Sequence, residues 1–546
     1  MTLRALVLSS LLLVPLTATA QFPLDGLRFR VDADHGHVDE TARVLPVRVT
    51  VTNPALTDAT QVRIRFGVPS IILDAGGNGW TCSGGGNNPT VCNFDGTLAA
   101  GASSTFSGNL YYAVPPFRVH IDGNVLWSDA AGKQQVSYDQ SSVALYRRFV
   151  VTRGGDSGAG SLREAITALN ADPVCATQPC GIEFNIAPAG AATKWQTITV
   201  HSPLPPLTGA DVTIDGETQT AYSGDTNPDG PEIELLGAGV AGEGLEFRSK
   251  YVDVQSIAVG GFDRNGILMT VPPRTSAAFR FERNYLGTDA TGAVAVPNGL
   301  RGLMITAGYL SGDIRANVLS GNSRSGLFVL SQQSPGFSLV PSMRVTENRV
   351  GVAAHSDAAL PNGASGMFFG PETDGAAVER NVIAHNGDFG VAIARGSRIV
   401  RVRANSIYSN GVGGIDIGLD GPTPEGTPDP YRGELVAPLL QSATYDAATN
   451  TTTITGTGPF YLGFISHQVD FYVSDSRDHG EFAEGERFLG TVSAPTPQFG
   501  VPFPFTFTVA GDLRGKFISA VSLRIVDVDG SLIYDTSEFS RAVEVR

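Results

Sequence analysis

Through the middle of the chain a glycine is followed by an apolar, a variable and a second apolar residue, at Gly244, Gly266, Gly302, Gly326, Gly366, Gly390 and Gly414. In an extended segment this alternation turns the two apolar side chains to one face and the variable one to the other. The steps are mostly 22 or 24 residues apart, and five landmarks recur at a spacing of 64: Asn284 and Asn348, Pro297 and Pro361, Gly302 and Gly366, Asn317 and Asn381, Gly326 and Gly390. Repeats this short predict solenoid coils, each too small to bury its own apolar face and stabilised by stacking on the next.

The variable position reads Glu246, Leu268, Met304, Phe328, Phe368, Ala392, Asp416. With strands about 4.8 Å apart, Leu268, Met304, Phe328 and Phe368 form an outward apolar strip roughly 15 Å long, with acids beyond both ends of the row. Such a strip is either covered by another part of the chain or is a groove in which sugar rings stack on Phe328 and Phe368. The asparagine row at 284, 317, 348, 381 and 405 marks equivalent corners, where the amide bonds neighbouring coils or the backbone takes the left-handed conformation. Nine extra residues in the long coils fall within 288 to 299 and 352 to 363. These loops leave one edge as a wall, and Asp289, His355 and Asp357 on them are candidates for catalysis or for a cation, with solvated loop charge as the alternative.

The flanks carry a different pattern. Residues from about 23 to 147 and from 433 to 546 alternate in short runs between turn clusters, as in antiparallel sandwiches. The stretch holding Trp80, Cys82, Val91 and Cys92, followed by Leu98 and Gly101, resembles the conserved-repeat Ig-like domains of bacterial surface proteins. Residues 156 to 166, DSGAGSLREAI, place Ser161 and Glu164 as a capping box before one short helix. This segment, with Leu204-Pro205-Pro206-Leu207 and Val212-Thr213-Ile214-Asp215-Gly216 beyond it, resembles the CSLREA-type opening of secreted bacterial parallel β-helix proteins of the pectin-lyase-like kind. The ending from Asp535 to Ser540 is similar to the closing segment of Ig-like modules that follow such rods. The resemblance implies an all-β chain: a right-handed parallel β-helix over 149–432 with an N-terminal capping helix, between an Ig-like β-sandwich over 21–148 and a C-terminal β-sandwich over 433–546.

Arg4, the apolar run to Leu16 and Ala18-Thr19-Ala20 form a secretory signal peptide over residues 1–20. That run is too short for an integral membrane span. The expected location is therefore exported: extracellular, on the cell surface, or periplasmic. In that compartment Cys82 with Cys92, and Cys175 with Cys180, are expected as local disulfides, zinc being the rival use of the four thiols. A formal charge of −15 repels phosphate backbones and argues against nucleic acid. Gly237, Gly239 and Gly242 match the dinucleotide spacing, but no helix pattern follows, so no nucleotide is expected. Asp225, Asn227 and Asp229 have the oxygen spacing of half a calcium loop, which makes Ca2+ the one candidate cofactor; an ordinary turn is the alternative. The signatures of polygalacturonases, pectate lyases and alginate epimerases are missing. The expectation is a protein of adhesin or scaffold type that binds a glycan or surface polymer, and the alternative is a polysaccharide lyase or hydrolase with scattered catalytic groups.

Overall fold

The computed structural model describes residues 26–546 apart from 36–37, 40, 56, 68–71, 112–116, 130, 191–193, 274, 332–342, 374, 398–399, 424–434, 460–465, 478–483, 494–501 and 529–530. The expected signal peptide lies outside the described residues. The chain is almost wholly β and divides into two compact units, Met1–Leu145 and Tyr146–Arg546.

In the first unit the antiparallel ladder is continuous over ten strands. The hairpin of Trp80–Gly85 and Asn88–Phe94 carries the ladder from Ile72–Gly77 across to Ala59–Phe66. The sheet's ends also meet: Asp139 and Ser141 of the last strand accept the Phe29 and Val31 amide N–H of the first, at 3.0 and 2.9 Å. Cys82 and Cys92 face each other across the hairpin and are joined by a disulfide.

The second unit contains three parallel sheets of nine, eight and seven strands, which the chain visits in rotation. The seven-stranded sheet comprises β1 (Leu245–Phe247), β2 (Ile267–Thr270), β3 (Leu303–Ala307), β4 (Leu327–Ser331), β5 (Met367–Phe369), β6 (Phe389–Ile393) and β7 (Gly413–Ile417). Their inward residues join one apolar core running through the stack, Leu303, Ile305, Leu327, Val329, Met367 and Phe369 among them. The first coil is covered by helix α1 (Leu162–Ala171), which buries Leu162, Ala165, Ile166 and Leu169. Ser161 Oγ accepts the Glu164 amide at 3.2 Å, while the Glu164 carboxylate reaches back to the Gly160 amide, one residue before the cap. The disulfide Cys175 to Cys180 holds the chain where it leaves this helix.

Two asparagine ladders brace the corners. In the expected one, each backbone N–H and side-chain amide donates to the Oδ1 one coil further on: Asn284 to Asn317, Asn317 to Asn348, Asn348 to Asn381 and Asn381 to Asn405. The left-handed residue at this corner is the one before each asparagine, namely Arg283, Ala316, Glu347, Arg380 and Ala404. A second ladder, Asn298, Asn322, Asn362, Asn386 and Asn410, runs beside the glycine steps. It explains those glycines: a Cβ on Gly302 would lie 2.9 Å from the Asn322 amide nitrogen, and one on Gly366 would lie 2.7 Å from that of Asn386.

Residues beyond 433 form a three-stranded and a five-stranded antiparallel sheet within the same compact unit as the stack. They close the open edge of all three parallel sheets. Thr536 Oγ1 accepts the Val402 amide at 2.8 Å, Gly485 O accepts the Ile407 amide at 2.8 Å, and Glu538 accepts the Ile417 amide at 2.8 Å. An exposed parallel edge invites pairing with another chain, and these bonds remove it.

Candidate functional site

The outward row on the seven-stranded sheet is in register throughout. Glu246, Leu268, Met304, Phe328, Phe368, Ala392 and Asp416 are successive partners from β1 to β7. The four apolar members are half-buried. How the rings stand changes the reading of the groove. Phe328 and Phe368 are stacked on each other, with centroids 4.5 Å apart and planes 5° from parallel. On the other face of Phe328, Arg301 places Cζ 3.8 Å from the ring centroid. Both faces of Phe328 are therefore occupied, and the expected stacking of a sugar on it is corrected: only its edge is open. Leu268 and Met304 continue the strip without offering a ring.

Phe368 is different. One of its faces meets Phe328, and the other looks along the row to Ala392, whose methyl fills little of the space. Beyond it stands Asp416, two strand spacings or roughly 10 Å from Phe368. The result is a hollow of about 370 Å³ lined by Phe328, Phe368, Ala392 and Asp416 of the row, with Phe389, Leu419 and Arg324 around them.

Asp416 is 1% exposed. Burial raises its pKa above the ordinary carboxylate value, against backbone N–H groups of Asp420, Gly421 and Leu419 that favour the charged form. Its Oδ1 accepts no hydrogen bond. A buried acceptor left unpaired costs free energy. Sequence reasoning had placed Asp416 at the end of the row without assigning it a role.

The loop candidates lie elsewhere. The loops at 288–299 and 352–363 do touch, the Ala354 amide donating to Gly292 O at 3.0 Å. The Asp289 carboxylate is consumed within its own turn, by Thr291 Oγ1 at 2.9 Å and the amides of Ala293 and Val294. His355 Nε2 lies 2.6 Å from Asp229 O, which also accepts the Tyr285 hydroxyl at 2.8 Å. Burial and the charges of Asp229 and Asp289 push that hydroxyl's pKa up to about 12. Asp357 pairs with Arg349 at 2.7 Å, is 70% exposed, and lines a different cavity with Tyr408, Asp475 and Glu486.

The turn of Asp225, Asn227 and Asp229 is thus brought against the wall loops, a meeting that no periodicity announced. Its Asn227 amide nitrogen donates to Pro231 O at 2.9 Å and Ala290 O at 2.8 Å, so the side chain clamps loops together. Among the described residues, no group of three or more His, Cys, Asp or Glu is gathered as a metal ion requires. Nor is any helix among them long and apolar enough to cross a membrane.

No family model matches the chain, and no curated protein matches it. Solved structures give remote matches. An exo β-N-acetylglucosaminidase of glycoside hydrolase family 20 from Vibrio harveyi is 15% identical over 21% of this chain and 18% of its own, with a TM-score of 0.18. A calcium-binding mutant of Bacteroides uniformis β-glucuronidase 2 is 8% identical over 95% and 62%, at 0.15. A β-glucuronidase of glycoside hydrolase family 2 is 11% identical over 94% and 50%, at 0.14. The chain spans less than two thirds of each of these proteins, and at such scores the matches carry no argument about it.

Proposed function

We propose that the three-sheet stack is a right-handed parallel β-helix of the secreted, pectin-lyase-like kind, opened by a CSLREA-type segment and flanked by Ig-like modules, and that the exported protein binds a glycan or surface polymer. The observation that carries the binding role is the hollow between Phe368 and Asp416. A sugar ring has an apolar face and hydroxyl donors at its rim. Laid on Phe368, it puts C–H groups on the aromatic ring and turns its hydroxyl rim toward the polar groups that line the rest of the hollow. The two disulfides and the leader-like residues 1–20 support a place outside the cytoplasm.

The binding role is preferred over a lyase or hydrolase because the loop groups nominated for catalysis are engaged. Asp289 is spent in its turn, His355 holds Asp229, and Asp357 is paired with Arg349. The test is retention of the purified protein on insoluble glycans, together with assays for unsaturated products and new reducing ends. Retention without turnover, weakened roughly tenfold by Phe368→Ala and little changed by Leu268→Ala, is the expected result. Turnover abolished by changing Asp289, His355 or Asp357 would overturn it.

A further inference from the structure

Arg301 and Arg324 lie on successive coils beside the hollow, just ahead of β3 and β4. In a chain with 53 acidic residues against 38 Lys and Arg, two adjacent arginines that form no ion pair among the described residues need a reason. The nearest comparable position shows the ordinary outcome: Arg264, one coil earlier, is paired with Glu243 at 2.6 Å, and the other Glu243 oxygen is held by Asn265. That acid is therefore already engaged. Among the described residues Arg301 makes one polar side-chain contact, from Nη1 to the Met304 sulfur at 3.6 Å, and its Nε is buried with no partner there. Arg324 is exposed and has no ion pair among the described residues. Burial, and then the neighbouring Arg324 charge, push the Arg301 pKa down, while the Glu243 charge works the other way. Asp388 and Asp416 also border the hollow, yet neither forms an ion pair with either arginine.

We infer that Arg301 and Arg324 are an anion site joined to the sugar hollow, so that the ligand carries a carboxylate or sulfate group on the unit whose ring lies against Phe368. Stacking on Phe328 holds the Arg301 guanidinium in place, and its terminal nitrogens supply N–H donors that carboxylate and sulfate oxygens accept. Arg324 adds a second positive charge from the rim. An anion placed there relieves the repulsion between the two cations. The inference rests on the hollow being a glycan seat, and the experiment separates the two ideas.

Three oligosaccharides of equal length serve as probes: a neutral dextran oligomer, its sulfated derivative and an oligogalacturonate. Binding is measured by calorimetry at low and at physiological salt. The charged probes are expected to bind roughly tenfold or more tightly than the neutral one, and to lose that advantage in Arg324→Gln, keep most of it in Arg324→Lys, and lose it as salt rises. Arg324 is exposed, so its variants test binding without threatening the fold; Arg301→Gln is the second variant. The sulfated and carboxylated arms tell which anion is preferred. Neutral and charged probes bound equally in a Phe368-dependent way would overturn the anion site and leave the glycan seat standing. No binding of any probe would overturn both.

Discussion

Asn410 and Glu484 meet at the end of the second asparagine ladder: the Asn410 side-chain amide donates to one Glu484 carboxylate oxygen at 3.0 Å, and its backbone N–H to the other at 3.1 Å. Within the ladder the equivalent donors go to the Oδ1 of the asparagine one coil on, as from Asn386 to Asn410 at 2.9 and 3.2 Å. Glu484 therefore stands where the next asparagine would stand if the stack continued. A carboxylate suits the place because both donors converge on one acceptor group that need donate nothing in return. Glu484→Ala removes the carboxylate that both Asn410 donors share and is expected to cost about 3 kcal/mol, with Glu484→Gln costing less. Urea unfolding followed by tryptophan fluorescence measures the loss, and hydrogen exchange shows whether it is concentrated at residues 405–417.

The middle of the other ladder makes the complementary case. Asn348 accepts from the backbone and side chain of Asn317, at 3.0 and 2.9 Å, and donates to Ile314 O at 2.8 Å. Asn348→Ala strands donors on one side and an acceptor on the other, an expected loss of about 3 kcal/mol. Asn348→Asp is expected to be at least as damaging. It keeps an acceptor for Asn317 but faces Ile314 O with no donor, and it adds a charge to a fully buried corner. Equal stability of the aspartate variant and wild type would refute the account of the ladder.

What could be read in advance divides along physical lines. The row from Glu246 to Asp416 was legible because strand alternation has period two and a glycine marks each register position. The second ladder was written just as regularly, since Asn298, Asn322, Asn362, Asn386 and Asn410 each lie four residues before a glycine step. Its signal is hidden in the glycines, which mark the strand register and also give clearance for an amide. Ring orientation was out of reach: nothing in the spacing says that Phe328 turns one face to Phe368 and the other to Arg301. Nor does any repeat connect Asn227 with Ala290, 63 residues away, or Asn410 with Glu484, 74 away, because those contacts are made once.

Acidity gives a prediction with a definite sign. Glu538 accepts the amides of Ile417 at 2.8 Å and Thr423 at 2.6 Å, but burial outweighs both bonds and raises its pKa from 4.5 to about 7. The folded protein holds this proton more tightly than the unfolded chain does. Its stabilising contribution is complete below about pH 4.5 and is lost as pH rises through about 7. The pKa of Asp215, buried and raised to about 7, acts in the same sense. His467 opposes both: burial lowers its pKa from 6.5 to about 4, so its contribution is present above 6.5 and is lost as pH falls toward 4. Comparing wild type with Glu538→Gln at pH 5 and pH 8 isolates Glu538. The variant is expected to lose less stability on going to pH 8, by on the order of 3 kcal/mol, which thermal melts at the two pH values resolve.

The hollow itself is tested most sharply by filling it. Ala392 is the smallest side chain in the outward row, between Phe368 and Asp416, and it lines the cavity. Ala392→Leu would project three more carbons toward Phe368, into the hollow that Phe389 and Leu419 share with Asp416 and Arg324. The added contact buries apolar surface, so thermal stability is expected to stay level or rise by about 1 kcal/mol. Glycan retention, in contrast, is expected to fall at least tenfold, because the ring and the leucine compete for one volume. A variant that binds less because it is less folded would show the opposite thermal change, so one melt beside one retention assay separates the causes. Undiminished retention by a well-folded Ala392→Leu protein would show that the ligand engages another face, and the roles given to Phe368, Asp416 and the arginine pair would fall with it.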